Sequence, residues 1–153
     1  MPFVLKRLNT FSSIAFVSTL VLVGIVYGLT LAPSVQQIDS GELAAVQSTL
    51  GIAHPTGYPL FTLAGHLVSR LPLGIPKILQ LNLLVALWCI LAVSFFFITT
   101  RQWLSRFQAP EEPSSSTLAA TCAGLFLAFS ATFWVQATSV EVYSLHILSL
   151  IHI

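Results

Sequence analysis

Three long apolar runs dominate this chain and limit what it can fold into. They cover residues 11–31, 80–100 and 118–138, and each holds 21 residues without an Asp, Glu, Lys or Arg. About 20 apolar residues in a helix span the hydrocarbon core of a bilayer. The pattern therefore predicts an all-α integral membrane protein with three transmembrane helices over these ranges.

The overall composition agrees with this prediction. Only 7% of the 153 residues are charged, 56% are hydrophobic, and the mean hydropathy is +0.89. A soluble domain usually carries about a quarter charged residues. A net charge of +1 without a basic run excludes the usual signature of nucleic-acid binding. Cys89 and Cys122 lie inside apolar runs, so we expect two small buried hydrophobes rather than a disulfide or a metal site.

Basic residues beside the runs predict the orientation of the helices. They lie just before the first run and just after the second: Lys6, Arg7, Arg101 and Arg106. Because basic residues favour the cytoplasm, segments 1–10 and 101–117 are predicted to be cytoplasmic. Lys6 and Arg7 also resemble the start of a signal peptide. However, the first run is longer than a typical signal core and lacks a clear cleavage site, which favours an uncleaved span.

The same orientation places segments 32–79 and 139–147 outside the cytoplasm. Within the first of them, Asp39–Leu50 is predicted to form a short helix that Gly51 ends. Leu60–Leu71 is apolar but has only 12 residues, which is too short to span and fits an interfacial helix. We therefore expect a helical cap over the bundle.

This cap holds an unusual share of the polar chemistry of the chain. Asp39 and Glu42 are two of five acidic residues, and His54 follows them in a loop rich in Pro and Gly. Acidic residues at a membrane boundary are functional candidates. A structural explanation also exists, because Asp39 at the N-cap and Glu42 three residues later fit a capping box. His54 could equally belong to a plain hydrogen-bonded turn.

Three further polar residues are candidates that also have structural explanations. Arg70 could snorkel to lipid head groups or bind a phosphate. Glu141 follows the third run, where it could be a solvated helix end or part of a site. Tyr143 fits an aromatic belt at the interface. The predicted topology places them on the same membrane face as Asp39, which makes that face the candidate site.

The residues of this face also carry a family resemblance. "TLAPSVQQIDSGELAAVQSTLGIAHPTGYPLFTLAGHLVSRLP", "LNLLVALWCILAV" and "ATFWVQATSVEVYSLH" occur in this order. Together they resemble the start of a bacterial membrane family of unknown function, related to eukaryotic transmembrane protein O-mannosyltransferases of the GT-C class of glycosyltransferases. The resemblance runs from about Tyr27 to His146 and implies a GT-C-like multi-span helical bundle.

The resemblance also implies a chemistry. Enzymes of this class move a sugar from a polyprenyl-phosphate carrier to an acceptor outside the cytoplasm. An acidic residue after the first span typically acts as the base, and Asp39 occupies that position here. The remaining candidates are expected to bind substrate: Glu42, His54, Tyr58, Arg70, Glu141 and Tyr143. Some members use a divalent metal and others do not, and no metal-ligand spacing here decides between them.

Two other functions fit the same residues. A transporter or flippase for lipid-linked substrates would use the acids and the arginine to line a path, although the apolar runs hold no charged residue. A non-catalytic membrane assembly subunit would need the acids only as a helix cap. The resemblance favours the enzyme, an inverting glycosyltransferase in the inner or plasma membrane.

The C-terminal end of the sequence carries two further expectations. Members of the family continue for many more spans, so this chain is expected to be an N-terminal part that is inactive alone. The last six residues, LSLIHI at Leu148–Ile153, correspond to CTG TCT CTT ATA CAC ATC. That is the transposon end used as an adapter in tagmentation libraries, so we expect these residues to be a sequencing artefact.

Overall fold

A computed structural model describes residues 9–36, 38–55, 57–107 and 113–153 of the chain. Within these residues the chain forms seven α-helices and no strand. In chain order they are α1 (Thr10–Thr30), α2 (Ile38–Thr49), α3 (Pro59–Ser69), α4 (Lys77–Leu104), α5 (Pro113–Ala128), α6 (Ala131–Thr138) and α7 (Tyr143–His152). The all-helical fold class is confirmed. The predicted segments 1–10 and 101–117 lie partly outside the described residues.

Helices α1 and α4 are each long and apolar enough to cross a membrane. Helices α5 and α6 would supply a third span if the bent pair they form is a single one. α4 lies at the centre and contacts each of the other six described helices. The core around it is small and closely packed, with Val23 and Tyr27 of α1 against Cys89 and Val93 of α4. Cys89 is buried as predicted, whereas Cys122 lies on the outward face of α5 and is exposed.

The third apolar run is divided rather than continuous. We predicted one helix over residues 118–138, but α5 ends at Ala128 and α6 leaves it at an angle of 66°. Ser130 between them has an extended backbone. The break leaves the Ala128 carbonyl without its helical partner, and the hydroxyl of Tyr27 on α1 donates to that oxygen at 2.8 Å. A neighbouring helix therefore supplies the bond that the break removes.

Helices α2 and α3 form the predicted cap and match the two short helices expected there. Gln47 of α2 donates from Nε2 to the Phe61 carbonyl of α3 at 3.0 Å. The ring Nδ1 of His66 donates in turn to the Gln47 carbonyl at 2.9 Å. Gly65 allows this approach, because a side chain there would overlap the Gln47 amide. The two helices are therefore held together by polar contacts as well as by apolar packing.

Hydrogen bonds between segments distant in sequence stabilise both ends of the bundle. At the end that carries the cap, the Ala32 N–H donates to the Thr138 carbonyl at 2.9 Å and Asn82 donates to the Ala32 carbonyl at 2.8 Å. We call this the Glu141 end. At the other end, which we call the Arg101 end, Arg101 Nε donates to Ser12 Oγ at 3.1 Å and Thr117 Oγ1 at 3.2 Å. The orientation of these ends across a membrane stays a prediction.

Helix α7 follows a short loop and packs against α4. It contains most of residues 148–153, whose interpretation as an adapter artefact stays a prediction. Glu141 lies in the loop between α6 and α7, at the same end as the cap. The fold thus brings the candidate residues of the cap and of this loop to one end of the bundle.

Candidate functional site

Four of the predicted site residues form an acidic cluster at the Glu141 end. Asp39 and Glu42 come from the first half of α2, His54 from the loop between α2 and α3, and Glu141 from the loop between α6 and α7. Glu42 pairs with His54, while Asp39 and His54 both act electrostatically on Glu141. We use the term acidic cluster for these four residues throughout.

Glu42 and His54 make the closest contact in the acidic cluster. The His54 backbone N–H donates to Glu42 Oε1 at 2.7 Å, and the ring Nδ1 donates to Oε2 at 3.0 Å. These two bonds, the backbone one first, hold the pKa of Glu42 below its ordinary value. The predicted capping box is therefore wrong. Asp39 lies inside the first turn of α2, and Glu42 binds a loop 12 residues along the chain rather than the helix start.

The loop that carries His54 is a tight turn, as its Pro and Gly residues predicted. The Gly57 N–H donates to the His54 carbonyl at 2.8 Å, and Gly57 has a φ of 85° that favours glycine. Tyr58 also has a left-handed backbone, with φ of 43°, and it precedes Pro59 at the start of α3. Its ring meets the His54 ring edge to face, with centroids 5.6 Å apart. The turn therefore places Tyr58 directly beside the acidic cluster.

Glu141 is buried, whereas a solvated helix end was the simpler prediction. Its exposed fraction is 4%, and Oε1 has no hydrogen-bond partner within the described part of the chain. Burial raises the pKa of Glu141, the charge of Asp39 adds to that rise, and His54 opposes it. A buried carboxyl without a partner is costly for folding. Its presence therefore points to a role other than stability.

Asp39 is exposed, as are the side chains of the paired Glu42 and His54, whereas Glu141 is buried. Asp39 lies in the first turn of α2, where the helix dipole favours a negative charge. Glu42 is engaged by His54 through both carboxylate oxygens, and Glu141 is buried. Asp39 is therefore the exposed carboxylate of the cluster that the pair of Glu42 and His54 does not engage.

A cleft of about 360 Å³ lies next to the acidic cluster. It is mostly apolar and separates the start of α3 from α7. The lining residues are Tyr58, Pro59, Leu60, Phe61, Val142, Tyr143, Leu145, His146 and Ser149. Tyr58 connects the cleft to the cluster through His54, so Tyr58 and Tyr143 belong to one continuous surface with it.

Sequence reasoning missed His146, which also lines this cleft. It follows Tyr143 by three residues on α7, a spacing that places two side chains on the same face of a helix. That spacing was the available signal, because a helix starting near residue 143 would have grouped the two residues.

Arg70 lies apart from the other predicted site residues. It follows the last residue of α3, and its Nε donates to His66 Nε2 at 3.4 Å. Tyr58 and Arg70 flank the 11 residues of α3, so the helix separates them by about 18 Å. The structure thus does not bring Arg70 beside Asp39, where its expected role in binding a phosphate would require it to be.

Within the described residues, no three His, Cys, Asp or Glu side chains lie close enough together to bind one metal ion. The arrangement offers acid and base groups beside an aromatic cleft. Such an arrangement can accept a proton at Asp39 and bind an elongated apolar ligand next to it.

Comparisons with known proteins identify relatives of this chain. Residues 39–153 match the protein O-mannosyl-transferase TMEM260 N-terminal domain. The protein O-mannosyl-transferase TMEM260 of Mus musculus is 38% identical over 125 residues, which cover 81% of this chain and 16% of the relative. The corresponding protein of Dictyostelium discoideum is 31% identical over 135 residues, covering 80% of this chain and 14% of the relative.

The matches have a clear limit. The chain spans less than a fifth of the length of these two relatives, and no solved structure matches it. The family match includes all four residues of the acidic cluster and both tyrosines of the cleft. It confirms the predicted relation to transmembrane O-mannosyltransferases. The chain belongs to the family defined by the protein O-mannosyl-transferase TMEM260 N-terminal domain.

Proposed function

We propose that this chain is the N-terminal part of a membrane glycosyltransferase that moves a sugar from a polyprenyl-phosphate carrier to an acceptor hydroxyl. The names of the relatives support mannose as the sugar and a protein as the acceptor. The observation that carries the proposal is the exposed carboxylate of Asp39, next to a buried carboxyl and an aromatic cleft.

In the proposed reaction Asp39 acts as the general base. Its carboxylate takes the proton of the acceptor hydroxyl while the hydroxyl oxygen forms a bond to the anomeric carbon of the sugar. The bond from that carbon to the carrier phosphate breaks, and the phosphate leaves from the opposite face with the bonding electrons. Attack and departure on opposite faces invert the configuration at this carbon. A positioned base of this kind typically contributes about 10²–10⁴-fold to the rate.

The position of the site supports a substrate that is held by lipid. A lipid-linked sugar has its phosphate at the level of the head groups, with its chain among the lipid tails. The acidic cluster lies at the end of two helices that can cross a membrane, and the apolar cleft lies beside it. We propose a multi-pass protein of the inner or plasma membrane with a cytoplasmic N-terminus and an extracytoplasmic site.

The described helices supply one side of such a site. Further spans would enclose the cleft, so we propose that the 153-residue chain is inactive alone and that the protein encoded by the complete gene is the enzyme. A divalent metal, if the enzyme uses one, would need ligands in addition to the described residues, which do not group around an ion.

Replacing Asp39 with Asn tests the proposal. The assay uses the protein that the complete gene encodes, with polyprenyl-phosphate mannose as donor and a Ser- and Thr-containing peptide as acceptor. Asparagine keeps the size and the preference for a helix start but removes the base. We expect transfer to fall by about 10²–10⁴-fold, with equal amounts of protein in the membrane.

Thr49→Ala is the matched control, because it changes an exposed polar residue at the other end of the same helix. It should transfer at the wild-type rate. Unchanged transfer by the Asp39→Asn protein would contradict the proposal. Such a result would favour a transporter or an assembly subunit, in which Asp39 stabilises a helix and takes no part in chemistry.

A further inference from the structure

Glu141 is the residue of the acidic cluster whose role the base mechanism leaves unexplained. Its side chain is 96% removed from solvent (4% exposed), and Oε1 finds no partner within the described residues. The neighbouring Ser144 hydroxyl donates to the Glu141 backbone carbonyl at 2.9 Å and not to the carboxyl. Within the described residues, Oε1 of this buried carboxyl is therefore available for a hydrogen bond with a ligand.

Burial and the nearby charges both act on the protonation of Glu141. Asp39 of α2 and His54 of the following loop are the titratable groups that act on it, and His54 already donates its ring Nδ1–H to Glu42. Burial and the charge of Asp39 both raise the pKa of Glu141. Two nearby carboxyls in different surroundings commonly divide the roles of base and acid. The exposed Asp39 suits the first role and the buried Glu141 suits the second.

A neutral carboxyl at this position suits an anionic ligand. An ionised Glu141 beside Asp39 would repel a phosphate, whereas its neutral form can donate a hydrogen bond to one. Arg70, the residue expected to meet the phosphate, lies at the far end of α3. Glu141 precedes Val142, which lines the apolar cleft. A phosphate at Glu141 would therefore lie near that cleft.

We propose that Glu141 is a neutral carboxylic acid that donates a hydrogen bond to a phosphate oxygen of the lipid-linked donor, next to Asp39. This inference rests on the proposed function and assigns the donor phosphate to a particular residue. It makes Glu141 a binding residue for the donor, distinct from the base that acts on the acceptor.

Donor binding at two pH values tests this assignment. The probe is polyprenyl-phosphate mannose without acceptor, added to the detergent-solubilised protein of the complete gene, and binding is followed by the rise in melting temperature. The probe is a phosphodiester, so its own charge does not change between pH 6 and pH 8. Wild type should bind the donor more weakly at the higher pH, because raising the pH disfavours the neutral form of Glu141, and the loss of one hydrogen bond to a charged group weakens binding by about tenfold.

Three variants at position 141 separate the explanations. Glu141→Gln keeps an N–H donor at every pH, so it should bind the donor at pH 6 like wild type and lose the pH dependence. Glu141→Ala should bind about tenfold more weakly at both values. Glu141→Asp keeps the carboxyl but withdraws it, so it should keep a pH dependence with weaker binding. Any pH dependence of binding that persists in Glu141→Gln belongs to a group other than Glu141.

Two results would overturn the inference. If Glu141→Gln binds as weakly as Glu141→Ala at both pH values, the residue works as a charged carboxylate. If all variants bind the donor like wild type, Glu141 is a structural residue. Either result combined with transfer that depends on Asp39 rejects this inference alone. Absence of donor binding by wild type at both pH values rejects this inference together with the proposed donor.

Discussion

The two ends of the helical bundle both hold buried polar side chains, but their bonding is different. At the Arg101 end, the Arg101 guanidinium is 7% exposed and donates to two hydroxyls, which also bond each other at 2.7 Å. At the Glu141 end, a buried carboxyl oxygen has no partner within the described residues, and a second carboxylate nearby is exposed. At the Arg101 end the buried polar groups bond each other. At the Glu141 end one buried oxygen is available to bond a ligand.

The difference separates a structural role from a functional one. Buried polar groups in proteins are nearly always hydrogen-bonded, because an unmade bond costs free energy. The Arg101 end follows this rule by joining α1, α4 and α5 through Arg101, Ser12 and Thr117. The Glu141 end departs from it at the place where the aromatic cleft and the exposed Asp39 lie. The unsatisfied end is therefore the better candidate for chemistry.

The largest effect on stability is expected at the Arg101 end. Arg101→Met removes the hydrogen bonds to Ser12 and Thr117 and should lower the free energy of unfolding by about 2 kcal/mol. Sugar transfer per molecule should stay unchanged, because the acidic cluster is at the other end. Melting of the detergent-solubilised protein and transfer normalised to protein amount measure the two quantities.

Arg106→Met is the control for that change, since it removes an exposed positive charge from the same end. It should melt like wild type. If Arg101→Met lost sugar transfer without losing stability, the Arg101 end would take part in function. That result would contradict the purely structural role assigned to it.

A smaller effect is expected at Tyr27, which lies between the two ends. Tyr27→Phe removes the bond to the Ala128 carbonyl at the break between α5 and α6. Both groups are buried, so the free energy of unfolding should fall by about 1 kcal/mol. Thr49→Ala, which removes an exposed hydroxyl that bonds within α2, should change little. Equal melting temperatures for wild type and Tyr27→Phe would show that the break does not need this bond.

The smallest effect concerns the pair of Glu42 and His54, which is largely exposed. The folded-state pKa of Glu42 is below its ordinary value of 4.5, so the pair stabilises the loop above that pH and is lost as the pH falls through the lowered pKa. Hydrogen exchange of the peptide containing His54, corrected for intrinsic rates, should be faster in acid than near neutral pH.

Glu42→Gln sharpens this test because its amide does not titrate. The same peptide should exchange faster than wild type near neutral pH and should show no acid transition. An acid transition of wild-type size in Glu42→Gln would assign the change to another group. In that case the Glu42 contact would not be what holds the loop on α2.

Much of the fold could be predicted from hydrophobic patterning. The apolar runs gave the long helices, and Gly51 and Pro59 marked the ends of the two helices in the cap. The break in the third run was not predictable in this way. The stretch LAFSATFW contains no Pro or Gly, and the bond that satisfies the break comes from Tyr27, 101 residues before Ala128. A contact so distant along the chain leaves no local signal.

The site could be predicted only in part for the same reason. The predicted spans cross the membrane in alternating directions. This alone predicted that Asp39, Glu42, His54 and Glu141 lie at one end of the bundle. The partner of Glu42 was misassigned, because a local cap and a loop 12 residues away are equally consistent with its position. The burial of Glu141 depends on how α7 and α2 pack around it, and sequence periodicity does not contain that information.

The shortness of α6 has a consequence for how this segment can vary. Eight residues of helix separate the 66° bend from the loop that carries Glu141. Each residue inserted into or deleted from α6 would rotate its exit by about 100°. Such a change would displace the Thr138 carbonyl from the Ala32 N–H and turn Glu141 away from Asp39. Homologous enzymes with this site should therefore keep the length of α6 constant even where its apolar residues are exchanged.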